Sequence, residues 1–203
     1  MSDQPVATAQ TYERPPAVPV ETEVPFTFVH INKCGGTAVE LALGLPKNHL
    51  TASMLRDQMG AEEWAGRFTF SVVRNPFDRV VSIYFYRVRT GQSGLGDRHL
   101  NINHWIERVW GEKDPAYIDP PELIAPCFDW LSVGDALIVD DVLKLEQLDR
   151  DWDRVADRLG VTARPGFINA NSHPAYQDLL TPAARKVVEE AFAEDVERFE
   201  YRY

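Results

Sequence analysis

Apolar residues near the start of the chain come in short runs whose period changes abruptly. In residues 26–40 (FTFVHINKCGGTAVE) an apolar run of strand length empties into a loop carrying Lys33 and the pair Gly35-Gly36, and a helix is predicted from Thr37. That helix soon meets Gly44-Leu45-Pro46, so it is short. Residues 68–73 (FTFSVV) read as a buried strand and run straight into Arg74-Asn75-Pro76, where Pro76 marks a helix start; that helix is read over 79–89. Between these strands, 53–64 reads as one helix with Leu55, Met59 and Trp64 inward. Further on, a helix is predicted around 102–110 and one or two strands over 136–146 around the acidic turn Asp140-Asp141. Leu148, Trp152, Val155 and Leu159 recur at helical spacing, closed by Gly160. A last helix has Thr181 as N-cap and Pro182 in its first turn, and buries Val188, Phe192, Val196 and Phe199. Alternating strands and helices of this kind predict an α/β fold with a parallel sheet.

The two strand-to-helix passages carry the chemistry. Glycines permit positive φ and close backbone approach, and a helix N-terminus adds positive potential, so the 33–37 loop suits a phosphate or sulfate. Arg74 sits at a strand's carboxyl end, the edge where open α/β sheets bind ligands, with Ser82 two turns into the following helix. The chain therefore offers two anion sites. A glycine pair after a strand is weak evidence alone, whereas RNPFDR with Ser at Arg74 plus eight is far more specific.

Together HINKCGGT and RNPFDRVVSIYFY resemble the two cofactor signatures of the sulfotransferases that use 3′-phosphoadenosine-5′-phosphosulfate (PAPS), in the branch related to carbohydrate O-sulfotransferases. The similarity extends to DVLKLEQL at 141–148 and to the tail at 195–201, covering roughly residues 25–203. It implies a P-loop-like three-layer fold, a central and mostly parallel sheet flanked by helices. It also implies transfer of a sulfuryl group from PAPS to an acceptor hydroxyl, of a carbohydrate or another small alcohol, with adenosine 3′,5′-bisphosphate as product and no metal. Carried over by residue, Lys33, Cys34, Gly35, Gly36 and Thr37 hold the 5′-phosphosulfate, Arg74 and Ser82 the 3′-phosphate, and Lys33 stabilises the leaving group. His49, in KNHLTA, stands where relatives place the acceptor base, and Asn171 and Ser172 stand where they close a loop over the nucleotide. Relatives often have Pro before the loop lysine and Thr after it; here Asn32 and Cys34 take those places, which predicts a less rigid loop entrance.

Composition sets bounds. With 203 residues, 44% hydrophobic, the chain can bury one good core, read as a single domain over 25–203. Residues 1–24, with four prolines and no apolar period, read as a disordered lead without signal-peptide features. No run approaches a membrane span, and two cysteines set no disulfide framework, so the expected setting is the cytoplasm. A net charge of −10 argues against nucleic acid as partner, although five arginines against two aspartates over 74–98 make a local positive site on an acidic body.

Other readings bound the picture. Cys34 as a nucleophile would need Arg six positions on, where Glu40 stands, so it reads as a small packing residue of the loop. Among the histidines, His30 reads as a packed core residue, and His99 and His104 suit no ligand spacing. Glu40 is the second choice for the base, or else part of a solvated helix face. Asp78 and Arg79 read as a local helix pair; Trp105, Trp110, Tyr117 and Trp130 divide between core and acceptor pocket. The rival functions are a nucleotide kinase or NTPase, for which the lysine stands on the wrong side of the glycines, and a non-catalytic nucleotide-binding protein.

Overall fold

Period-two alternation sends the two faces of each strand into different cores. The computed structural model describes residues 19–92, 95, 100–118, 120–166 and 173–203. Strands β1 (Phe26–Val29), β2 (Phe68–Val73) and β5 (Asp141–Lys144) form a parallel sheet in the order β1-β2-β5, with Phe28 opposite Phe70 and Phe70 opposite Asp141. A separate two-stranded antiparallel ribbon joins β3 (Ser132–Val133) to β4 (Ala136–Leu137). Phe28, Phe70, Val72 and Leu143 pack with α1 (Gly36–Ala42) and α7 (Leu148–Leu159), through Val39, Trp152 and Val155. The alternate residues Val29, Val73 and Val142 pack with α2 (Ala52–Met59), α3 (Ala61–Ala65) and α6 (Cys127–Leu131). The protein is thus an α/β fold in three layers, a parallel sheet between helices. A third cluster joins α4 (Pro76–Thr90) to α5 (Ile102–Ile106) and α9 (Pro182–Ala191), with α8 (Tyr176–Leu179) against it and α10 (Ala193–Arg198) following.

Local signals place most ends. Asn75 accepts a hydrogen bond from the Phe77 amide and Pro76 opens α4, which runs to Gly91 at φ 65°. Thr181 caps α9 through the Ala184 amide, and Gly160 closes α7 at φ 68°. Three predicted helices differ. The 53–64 helix splits at Gly60, which adopts φ 92° and starts a new turn. The last helix splits at Phe192, fully buried and packed on Trp110, so a tertiary contact overrides helical continuity. After Ile106 the 102–110 helix widens into a π turn, Glu107–Gly111.

Residues 19–24, expected to belong to a lead without structure, lie along the domain. The Val20 amide donates to Leu43 O and the Glu23 amide to Leu159 O, while Val20 and Val24 pack on the α1/α7 side of the sheet. Among the described residues no helix is long and apolar enough to cross a membrane.

Candidate anion site

A cavity of about 830 Å³ opens where β1, β2 and β5 end, lined by the 32–38 loop, by Arg74 and Ser82, by Lys47 and His49, and by residues 145–150. The loop is built from its glycines outward. A Cβ on Gly36 would lie 2.0 Å from the buried His30 ring, so no other residue type fits there, and one on Gly35 would press on the end of the Leu145 side chain at 2.5 Å. Gly35 has φ 78°, and Lys33 takes φ 65°, a conformation uncommon for a side chain with a Cβ. Carbonyls on this turn meet donors from other elements: Asn32 O receives Arg79 Nε at 3.2 Å, and Lys33 O receives an Arg74 guanidinium nitrogen at 3.1 Å.

Asn32 reverses the expectation of a loose entrance. Its amide donates to Leu123 O at 2.8 Å and accepts from Arg79 at 2.8 Å, pinning the loop by hydrogen bonds where a proline ring would have done so by torsion. Arg79, fully buried, also donates to Ala125 O. The expected Asp78–Arg79 pair does not form: Asp78 holds Arg74, four residues back, at 2.7 Å and 2.9 Å. Arg74 therefore joins the two motifs, fixed by α4 on one side and bonded to the loop on the other. Ser82 lines the same cavity with its hydroxyl buried and without a hydrogen-bond partner among the described residues.

Lys33 lies 4.5 Å from the centre of the Tyr86 ring, a contact with no sequence signal beyond the stripe Asp78, Ser82, Tyr86 on one side of α4. Burial, then the charges of Arg74 and Arg89, lower its pKa from 10.5 to about 8. His49 is held at Nδ1 by the carbonyl of His30, 3.2 Å away. A carbonyl can only accept, so Nδ1 carries the proton and Nε2 the lone pair. Burial, followed by the neighbouring His30, pushes its pKa below 6.5, so it is neutral at pH 7. His30 is buried, yet its ring lines the cavity and Nδ1 donates to Glu40 Oε1 at 2.6 Å. Glu40 is 1% exposed and away from the cavity, contrary to both the solvated-face and the base readings.

Lys33, Gly35, Gly36, Thr37, His49, Arg74 and Ser82 thus meet on one cavity. The Cys34 side chain does not: it is fully buried with Sγ 3.8 Å from Cys127 Sγ, leaving only its backbone to the loop. Asn171, Ser172 and His99 lie outside the described residues. His173, which the sequence did not single out, lines the cavity beside Arg74 at 3.4 Å. None of Trp105, Trp110, Tyr117 and Trp130 lines it; Trp105 and Trp130 are core, and Trp110 borders a smaller hollow of about 530 Å³. Among the described residues no group of three or more His, Cys, Asp or Glu could hold a metal.

Fold and site together define a parallel-sheet α/β protein with a cationic cavity at the carboxyl edge of its sheet. No protein-family model matches the chain, and no curated protein matches it. Among solved structures it is similar to the crystal structure of a sulfotransferase from Alicyclobacillus acidocaldarius, at 17% identity and a TM-score of 0.43, over 87% of this chain and 77% of that one.

Proposed function

We propose that the protein is a sulfotransferase that moves the sulfuryl group of PAPS to an acceptor hydroxyl, of a carbohydrate or another small alcohol. The observation that carries this reading is the Ser82 hydroxyl. A buried polar group without a partner is costly unless a ligand completes it, and this one lies on a cavity whose walls also carry Arg74 and Lys33. The residues suit a nucleotide with two separate anionic groups. Arg74 and Ser82 would take the 3′-phosphate, with the backbone of 33–37 and Lys33 at the 5′ end.

Sulfuryl transfer, like phosphoryl transfer, depends on alignment and on stabilising the charge that accumulates on the leaving oxygen. Lys33 Nζ supplies positive charge there. His49, neutral and with its Nε2 lone pair free of the His30 bond, accepts the proton of the acceptor hydroxyl. Calorimetric titration tests the reading. Adenosine 3′,5′-bisphosphate should bind in the micromolar range and exceed ADP by roughly tenfold or more, about 1.4 kcal/mol. No preference over ADP would overturn the reading, and tighter binding of ATP with magnesium would replace it with an NTPase.

A further inference from the structure

The side chains beneath His49 form a unit that the anion chemistry does not use. Glu40 points inward from α1, and its Oε1 accepts two hydrogen bonds, from His30 Nδ1 at 2.6 Å and from the Asn48 amide at 3.1 Å. One carboxylate oxygen thereby bridges the end of β1 and the loop that carries His49. The His30 ring has little room to move. Phe28 stacks near it at 5.9 Å, the ring lies against Gly36 in the space a Cβ there would need, and the His49 ring lies 4.3 Å away. Its own carbonyl receives His49 Nδ1–H. Taking a carboxylate this far out of water costs several kcal/mol unless its partners compensate. A hydrophobic residue would fill the space more cheaply but could hold neither His30 nor Asn48.

We propose that Glu40 and His30 are positioning residues that fix the place and tautomer of His49, Glu40 acting through the reach of its hydrogen bonds to His30 and Asn48 and touching no reactant itself. This rests on the reading of His49 as the base. Without the bridge, a neutral imidazole is free to carry its proton on Nε2, where it can no longer accept one from a hydroxyl. The charged or titratable groups acting on His49 are His30 from the β1 side, Glu40 from α1 and Lys47 from its own loop. Their opposing signs make the tautomer, and not the pKa alone, the informative readout.

The test is nitrogen NMR of the histidine rings in the full chain above pH 7, for the wild type, Glu40→Gln and Glu40→Asp. Gln keeps the reach and loses the charge; Asp keeps the charge and loses about one bond length of reach. The wild type and Glu40→Gln should show His49 with a protonated Nδ1 and a bare Nε2. Glu40→Asp should show averaged ring nitrogens, while binding adenosine 3′,5′-bisphosphate within about twofold of wild type. A single Nδ1–H form in Glu40→Asp, an averaged ring in Glu40→Gln or in the wild type, or a parallel loss of bisphosphate binding and tautomer in Glu40→Asp would each overturn the proposal. Should the wild type show the expected tautomer yet bind no bisphosphate, the sulfotransferase reading fails while the positioning of His49 stands, with the melting temperature of Glu40→Asp then serving as the control for folding.

Discussion

Ser82 is the side chain whose removal separates binding from folding most cleanly. Its hydroxyl is buried without a protein partner, so Ser82→Ala deletes nothing the folded state uses, and thermal unfolding should hold or move slightly upward. A hydrogen bond to a charged group is worth about 1.5–3 kcal/mol, so affinity for adenosine 3′,5′-bisphosphate should fall by roughly tenfold or more, while adenosine 5′-phosphate, which lacks the 3′ group, binds as before. Equal losses for both nucleotides, measured by calorimetry, would place Ser82 elsewhere on the ligand. At this scale the sequence was informative where chemistry depends on residue type at fixed spacing: Lys33 before the glycines, and Arg74 with Ser82 eight residues later. Glu40, Asp78 and Arg79 were opaque because a charged side chain on a helix reads as solvated by default. Arg74 and Asp78 meet across a local spacing of four, but only the third dimension brings His30 to Glu40 and Asn32 to Arg79.

Helix α6 is five residues long, and its N-cap position, Pro126, provides no side-chain acceptor. The missing cap comes from α10: Asp195, fully buried, accepts from the amides of Cys127 at 2.8 Å and Phe128 at 2.7 Å. Asp195→Ala leaves both donors buried and unpaired and withdraws a negative charge from the neighbourhood of Arg79. It should cost about 3–5 kcal/mol of stability in urea unfolding. Asp195→Asn, which keeps one acceptor, should cost clearly less; equal losses would show that charge and not capping is what α6 needs. Elements were legible where the local code acts alone, as in the helix start at Pro76 and the caps at Thr181 and Gly160. They were misread where a distant contact intervened. A helical period runs through both Gly60 and Phe192, but Gly60 turns to φ 92° and Phe192 is taken up by the core, so two predicted helices become four.

Across the whole molecule, 31 acidic residues against 21 basic ones give a body of net charge −10, yet Lys33 shares its cavity with Arg74 and Lys47. That crowding and burial bring its pKa to about 8, with a definite sign. Below pH 8 the ammonium is charged and ready for an anion; as pH rises through 8 the proton leaves and affinity for adenosine 3′,5′-bisphosphate should fall. At pH 8.5 binding should draw a proton back, making the observed heat vary with the ionisation enthalpy of the buffer, and Lys33→Met should remove that variation. Buffer-independent heats in the wild type would show that Lys33 stays charged without a ligand. The parallel α/β plan was legible at this scale because each strand leads directly into a helix, whereas the edge of the folded part was not. Residues 19–24 were read with the proline-rich stretch 1–24 as an unstructured lead, but Val20 and Val24 find apolar partners that composition alone cannot supply. The carbonyls of His30, Asn32 and Lys33 are held by His49, Arg79 and Arg74, donors that come from outside the turn. A grafting experiment would expose what this means: HINKCGGT transplanted into another α/β scaffold would carry over the glycines and the lysine, while the instruction for which way the peptide groups face would stay behind in three side chains 19 to 47 residues downstream of the carbonyls they hold.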